Sequence, residues 1–342
     1  MLFAVSAYVH ATDARITDTG YEIERSAGAT QSVYWVDNHR LLFIGYRTAD
    51  LDAAIAAEDS SKRNRQRRIF IWDVRRKTAE EYAKADAVCY SDGWVSYRIA
   101  VDRSAAMETV KEGVLGSEQE TKKPFLSMGE VRSNFTCRRH TIERLVPPAS
   151  RQRRIVVLRE GDGYLDLGPS LGADPKKVEG EPRTVRLFEG KTGQPIQLPI
   201  RWEEDVAQYD VSYSAYRRAY VLRPKRPGDG SRQWPANLAL RVYLLWSDGR
   251  LEKISVPYRP AGYLDKPHPT VIGWIFGGGN FYKTAGLYLF NGTTVSKLDE
   301  GLVNEISVSP DGCAAAVGIQ NKHLEMGTPV NLRLFRLCPG GD

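Results

Sequence analysis

Apolar positions along this chain come in short runs broken by Gly, Asp, Asn and Pro, the pattern of strands joined by tight turns. The clearest instance lies near the C-terminal end. Glu305-Ile306-Ser307-Val308 leads into Ser309-Pro310-Asp311-Gly312, and Cys313-Ala314-Ala315-Ala316-Val317-Gly318-Ile319 leads away from it. The same strand–turn–strand figure recurs upstream in looser form. No amphipathic pattern of several helical turns stands out.

Six such units can be traced. Unit one pairs Ser32–Val36 with Arg40–Tyr46 across Asp37-Asn38-His39, then adds Ile69–Val74 and Lys77–Tyr82 after a long insert, Arg47–Arg68. Within that insert, Leu51–Ala57 suffices for one or two helical turns. Unit two has Ala87–Tyr90, the turn Ser91-Asp92-Gly93 and Trp94–Ile99; a polar insert, Asp102–Met128, separates them from Val131–Arg138 and His140–Leu145. Unit three runs from Arg154–Leu158 through Gly161-Asp162-Gly163 to Tyr164–Leu167. After an insert rich in Pro, Gly and Lys it continues with Thr184–Phe188, Gly190–Gly193 and Pro195–Ile200. Unit four has Asp210–Tyr216, Arg217-Arg218, Ala219–Leu222, then Leu238–Trp246, Ser247-Asp248-Gly249 and Leu251–Tyr258. In unit five, Thr270–Phe276 is a strand, Gly277–Asn280 a loop, and Leu287–Phe290, Asn291-Gly292 and Thr294–Leu298 a hairpin; a further strand is placed around Phe281-Tyr282. Unit six joins the first-mentioned hairpin to Leu332–Leu337. Its fourth strand comes from Tyr21-Glu22-Ile23-Glu24-Arg25, which alternates and has no hairpin partner nearby.

Repeated four-stranded units with a spare strand at the start predict an all-β fold: a β-propeller of six blades, the last closed by an N-terminal strand. A sandwich is the competing use of many short strands. The 342 residues divide into 1–14 and a single propeller domain, 15–342. Leu2–Val9 is apolar and is followed by small residues around Val9-His10-Ala11 and Thr12-Asp13-Ala14, but a basic segment ahead of it is missing. It reads as a signal-peptide remnant or as an ordinary first strand.

Ile306–Ile319, with its Ser-Pro-Asp-Gly turn, resembles the repeat of TolB-type propellers, which are WD-repeat-like in architecture. Trp35-Val36-Asp37-Asn38 followed by Leu41-Leu42-Phe43 looks like a degenerate copy, and Ser91-Asp92-Gly93-Trp94 like another. The resemblance implies a scaffold used for protein–protein contacts in the bacterial envelope. It carries no functional residue across.

Composition narrows the picture only a little. Seventeen Tyr, seven Trp and ten Phe suit pleated, half-buried surfaces. A net charge of +6 reads first as a solvated basic surface. No apolar stretch reaches the ~18 residues that span a bilayer. None of the four cysteines forms a C-x-x-C pair. If residues 313–320 pair antiparallel with 331–338, Cys313 faces Cys338 at a separation a disulfide tolerates. That expectation agrees with a periplasmic or secreted location, cytoplasmic being the alternative. Cys89 and Cys137 form a second candidate pair.

Catalytic motifs are absent: there is no Gly-x-Ser-x-Gly, His-Glu-x-x-His or phosphate-binding Gly-rich loop. His10, His39, His140, His268 and His323 are scattered and read as surface or turn residues. Glu203-Glu204-Asp205 beside Trp202 reads as a solvated loop before it reads as a cation site. Gly161-Asp162-Gly163 with Asp166 reads as a hairpin turn before a calcium loop, and Gly277-Gly278-Gly279 as a turn before a phosphate contact. The best partner-binding candidate is the basic run that holds Lys62, Arg63, Arg65, Arg67 and Arg68. No aromatic side chain interleaves it, which argues against single-stranded nucleic acid. The expectation is a binding scaffold for an unidentified protein, without cofactor or metal. A propeller enzyme, a lyase or glycoside hydrolase with its site in the central channel, is the alternative, and an intracellular interaction module a third class.

Overall fold

The computed structural model describes residues 15–23, 31–51, 67–102, 104–124, 153–159, 161–169, 185–198, 208–225, 240–256, 263–279, 284–320 and 330–338. Among these residues twenty-four strands sort into six groups of four. Blade 1 is β2 (Val33–Trp35), β3 (Arg40–Arg47), β4 (Arg68–Asp73) and β5 (Thr78–Lys84). Blade 2 is β6 (Ala87–Ser91), β7 (Trp94–Asp102), β8 (Met107–Val114) and β9 (Gln119–Pro124). Blade 3 is β10 (Arg153–Val157), β11 (Tyr164–Pro169), β12 (Arg186–Phe188) and β13 (Pro195–Ile196). Blade 4 is β14 (Gln208–Ser214), β15 (Ala219–Lys225), β16 (Leu240–Leu245) and β17 (Leu251–Val256). Blade 5 is β18 (Tyr263–Thr270), β19 (Gly273–Gly279), β20 (Gly286–Phe290) and β21 (Val295–Glu300). Blade 6 is β22 (Leu302–Val308), β23 (Ala314–Gln320), β24 (Val330–Arg336) and, from the other end of the chain, β1 (Arg15–Ile23).

Each blade is an antiparallel meander, and the blades are arranged radially. First strands of neighbouring blades touch: β14 meets β18, β18 meets β22, and β22 meets β2. This is a β-propeller, and β1 closes it by pairing with β24 from Arg15↔Arg336 to Ile23↔Val330. The end of β1 does more than the alternating pattern predicts. Tyr21, Glu22 and Ile23 also pair with Arg47, Tyr46 and Gly45 of β3, so blades 6 and 1 share one continuous sheet. Gly45 makes this possible, because a Cβ there would lie 1.9 Å from the Glu22 carbonyl oxygen.

Burial follows position within a blade. Every residue of β20 and β23 is buried, whereas β5 and β9 alternate between exposed and half-buried positions. Middle strands are covered on both faces by neighbouring blades, so they read as unbroken apolar runs. The apolar clusters lie between blades: Phe43, Trp72 and Leu334 between 1 and 6, Ile44 and Val95 between 1 and 2, Leu187 and Leu222 between 3 and 4, Leu244 and Phe276 between 4 and 5, Leu289 and Val317 between 5 and 6.

Three sequence readings change. The polar insert Asp102–Met128 is in large part β8 and β9, the third and fourth strands of blade 2. Its apolar pattern is blank because a buried carboxylate occupies a core position: Glu108 is paired with the buried Arg98 at 3.4 Å, and Arg98 also holds Asp86 at 2.7 Å. The candidate strands Val131–Arg138 and His140–Leu145 lie outside the described residues. In blade 5 the first strand is Tyr263–Thr270, ahead of the turn at Val271 and Ile272; the candidate strand around Phe281-Tyr282 lies outside the described residues. Pro267 and Pro269 hide Tyr263–Thr270 from a pattern search. An inner edge strand tolerates them because its outward N–H groups need no partner in a ladder. Third, Gly277–Gly279 is the end of β19, not a loop: a Cβ on Gly277 would sit 2.8 Å from the side chain of Val303 in β22, so the glycine lets two blades approach.

The disulfide Cys313–Cys338 is present, with 5.0 Å between Cα atoms. Its register differs from the expectation by one residue. Ala314 pairs with Arg336, and Leu337 N–H donates to the Cys313 carbonyl, so Cys338 reaches Cys313 from just past the ladder. The observed register keeps Ala314 and Ala316 on one face with Leu332 and Leu334, toward blade 1. Ala315 and Val317 share the other with Phe335, toward blade 5. A one-residue slip would mix the two cores. Cys89 is also disulfide-bonded; Cys137 lies outside the described residues.

Candidate functional site

Antiparallel order gives the propeller two unlike ends. At one end sit the turns joining first to second and third to fourth strands, all of them short. From the other end depart the connections 48–67, 170–185, 226–239 and 321–329 between second and third strands, with 125–152 and 197–207 between blades. Of the three long inserts read from the sequence, Arg47–Arg68 and Leu171–Pro182 leave from this end, whereas Asp102–Met128 is largely β8 and β9.

Among the described residues, polar contacts at the turn end join every neighbouring pair of blades except 4 and 5, which are joined by apolar packing. Asp311 N–H donates to Asn38 Oδ1 at 3.1 Å, joining blades 6 and 1, and Tyr90 O–H reaches the Val36 carbonyl at 3.5 Å, joining 2 and 1. Arg159 Nε donates to Asp92 Oδ2 at 2.9 Å, joining 3 and 2. Tyr220 O–H donates to Asp162 Oδ2 at 2.7 Å and accepts from Arg159 N–H at 2.9 Å, joining 4 and 3. Val271 N–H donates to the Gly312 carbonyl at 3.3 Å, joining 5 and 6. Gly312 has a left-handed φ of 75°, and a Cβ there would fall 2.7 Å from the Tyr216 ring of blade 4, so that tyrosine lies near the centre of this end. The Ser-Pro-Asp-Gly turn is thus both a hairpin and the hub of three blades.

Carboxylates on this end are largely turned into the turns. Asp37 accepts the N–H groups of His39 and Arg40, Asp73 those of Arg75 and Arg76, Asp311 that of Cys313, and Asp248 that of Arg250. Burial tends to raise the Asp37 pKa, but those two N–H groups and the Arg40 guanidinium outweigh it and hold it below the usual value. The two N–H groups and nearby arginines likewise lower Asp73. The arginines lie over rings or on carboxylates instead. Arg250 stacks over Trp246 at 3.9 Å and Arg159 over Tyr213 at 4.1 Å, while Arg217 reaches Glu252 at 3.1 Å. Burial, reinforced by the hydrogen bond to Asp162, pushes the Tyr220 phenol far above its ordinary value, so Tyr220 stays a neutral donor. These donors are spent within the ring of blades: Tyr220 on Asp162, Arg159 on Asp92 and Arg217 on Glu252.

The sequence candidates distribute differently. Lys62, Arg63 and Arg65 lie outside the described residues. Arg67 is buried, with its guanidinium on Tyr46 Oη at 3.4 Å and on the Asp86 carbonyl at 3.0 Å. Arg68 opens β4 and pairs with Glu81 at 3.0 Å. These last two positions anchor the insert's return to the sheet. Trp202 and Glu203-Glu204-Asp205 are outside the described residues, as are His10, His140 and His323. His39 is an exposed turn residue beside Arg75, but His268 is buried in β18, contrary to the surface reading. Gly161-Asp162-Gly163 is the hairpin turn expected, and Asp166 is buried against Arg186 at 2.9 Å. Among the described residues no three His, Cys, Asp or Glu side chains come together to hold a metal ion. Sequence reasoning missed Asn38, Arg159, Tyr213 and Tyr216. Their turns were visible, but their partners belong to other blades and leave no trace at short spacing.

The site belongs to a class, the β-propellers, defined here by strand order and by the closing strand. No family profile matches the chain, and no curated protein does. Solved structures similar to it include the β-propeller domain of the Trilobed protease from Pyrococcus furiosus, described with an open velcro topology. It is 12% identical over 97% of this chain and 85% of that one, with a TM-score of 0.33. XC5397 from Xanthomonas campestris, a gluconolactonase, is 14% identical over 96% of this chain and 91% of that one, with a TM-score of 0.40. A chain of the mitotic checkpoint complex is 9% identical over 98% and 95%, with a TM-score of 0.38. At these values the likenesses bear on no functional question, and the assignment rests on the topology.

Proposed function

We propose that this protein is a non-catalytic scaffold that binds another protein, and that it works in the periplasm or outside the cell. The observation that carries the reading is the contrast between the two ends. One is locked by contacts that run from blade to blade; the other releases the long connections 48–67, 170–185 and 226–239. A rigid ring with long connections on one face is how loops are held for recognition while tolerating variation in sequence. The basic positions Lys62, Arg63 and Arg65 fall in the first of those connections and would steer an acidic partner. The Cys313–Cys338 bond supports an oxidising compartment. Among the described residues no helix is long and apolar enough to cross a membrane.

The test is affinity capture of the tagged protein from native envelope extract after cross-linking, read by mass spectrometry against an unrelated tagged propeller. One reproducible partner, lost when residues 52–66 are replaced by a Gly/Ser segment of equal length, is the expected result. No enriched partner in replicates overturns the scaffold reading and leaves the propeller-enzyme alternative, to be pursued with sugar substrates.

A further inference from the structure

Several turns of this propeller share one plan. Asp37, Asp73 and Asp102 each accept, through Oδ1, the backbone N–H groups two and three residues ahead, at distances between 2.8 and 3.1 Å. In blade 5 the turn from β20 to β21 has Asn291 in that place. Its Oδ1 accepts the Thr293 and Thr294 N–H groups at 3.0 and 2.8 Å and the Thr294 hydroxyl at 3.3 Å. The geometry is that of the aspartate turns, with an amide where they carry a carboxylate.

Asn291 is followed by Gly292, and this is the one Asn-Gly step in the chain. Gly292 has a φ of 96°, and nothing lies within 4 Å of the place a Cβ would take. Residues 291 to 294 are all exposed. The Asn291 N–H is spent on the Thr294 carbonyl at 3.2 Å. Among the described residues, neither the Gly292 N–H nor Asn291 Nδ2 has a protein partner. The side-chain carbonyl is therefore held by three donors, while the nitrogen on either side of the reaction is open to water. Donors aimed at Oδ1 are placed to stabilise the negative charge that gathers there when a nucleophile adds to Cγ. Glycine sets no side chain in the way of its own nitrogen.

We propose that Asn291 is a site of spontaneous deamidation, whose turn supplies the donors and leaves the nucleophile uncovered. The Gly292 nitrogen gives up its proton to water, and its electron pair attacks Asn291 Cγ to close a five-membered succinimide. The Cγ–Nδ2 bond breaks, and the nitrogen leaves as ammonia with a proton from solvent. Water then opens the ring at one of its two carbonyls, giving aspartate or isoaspartate. Aspartate restores the plan of Asp37 and Asp73, with the same donors on Oδ1. Isoaspartate adds a methylene to the backbone and shifts the β20–β21 hairpin. Either product adds one negative charge to the turn end of blade 5. The proposal is independent of the scaffold reading, since it requires only the turn and water.

The experiment incubates the full folded chain near neutral pH, in parallel with the same chain in urea. Samples are digested by trypsin at mildly acidic pH, and the peptide 284–297 is followed by mass spectrometry. An isoaspartyl methyltransferase separates the two products. In the folded chain Asn291 should convert at least about tenfold faster than any other asparagine, and no more than about tenfold slower than it does in urea. The rate should rise with pH, because the Gly292 nitrogen must lose its proton before it attacks. Gly292→Ala should slow conversion at least about tenfold, since a methyl group crowds that nitrogen. Asn291→Asp, the product itself, should melt within about 3 °C of the wild type. Slower conversion than these limits in the folded wild type overturns the proposal and shows that the turn protects its asparagine. An unchanged rate in Gly292→Ala overturns the attack by that nitrogen. A larger loss of melting temperature in Asn291→Asp overturns the equivalence with the aspartate turns. Should Gly292→Ala not fold, the wild-type rates in buffer and urea decide alone.

Discussion

Blades 6 and 1 are joined by backbone and apolar packing, whereas among the described residues blades 2 and 3 are joined by the guanidinium of Arg159 on Asp92. In the first seam β1 belongs to both sheets. Tyr21 packs edge-on against Phe43, Phe70 and Trp72. The buried Glu305 accepts the N–H groups of Ser32 and Val33 at 2.8 and 3.0 Å, and Trp35 Nε1 donates to the Ser307 carbonyl at 2.9 Å. In the second seam the two partners are 30% and 44% exposed, and the guanidinium is shared with the Tyr213 ring. The difference teaches where a ring needs strength. Blades 2 and 3 are also tied by the continuity of the chain, so a modest contact suffices there. Blades 6 and 1 come from opposite ends of the sequence, and their junction must offset the entropy of bringing those ends together.

The sharpest way to break the comparison is Gly45→Val. Its Cβ would enter the Glu22 carbonyl, so the shared sheet must open, and we expect a loss of about 3 kcal/mol or more in chemical denaturation. An unchanged midpoint would show that the β1–β3 pairing is dispensable. Next comes the double change Cys313→Ser with Cys338→Ser, which frees the end of β24 beside the closing strand. A loop closed over 25 residues predicts a loss of about 3 kcal/mol, with early proteolysis in the C-terminal strand. Glu305→Ala should cost about 2–3 kcal/mol, because the Ser32 and Val33 N–H groups lose their acceptor without access to water, and Glu305→Gln should recover part of it.

In the other seam, Arg159→Met should cost no more than about 1 kcal/mol, and the loss should shrink as salt is added, since its ion pair is partly exposed. A salt-independent loss of several kcal/mol would make the two seams equals. The smallest effect is expected at Asp37. Its folded pKa lies below its unfolded one, so its contribution is present above the unfolded value near 4 and is lost as pH falls through the folded value. Asp37→Asn should therefore lower stability slightly at neutral pH and leave it indistinguishable from wild type in strong acid, measured as melting temperature against pH.

Legibility followed the same division. β23 and β20 announced themselves because burial on both faces forces apolar runs, and Ser309-Pro310-Asp311-Gly312 because only a few residue types satisfy that turn. β8 was hidden because the buried Arg98–Glu108 pair replaces apolar side chains, and β18 because an inner edge strand accepts Pro267 and Pro269. At the turn end, Asp311 could be read as a turn carboxylate, but its backbone contact with Asn38 spans 273 residues of sequence and has no local signature.

By itself the sequence determined the repeat, most of the strands, the closing role of the N-terminal segment and the nearness of Cys313 to Cys338, because these follow from the two-residue period or from turn chemistry within a few residues; β8, β9, β18 and the exact register did not. Tertiary structure alone decided which blade touches which and that Arg67 anchors a strand instead of meeting a partner. Those outcomes depend on closing a ring, and ring closure brings together side chains whose separation along the chain carries no periodic signal.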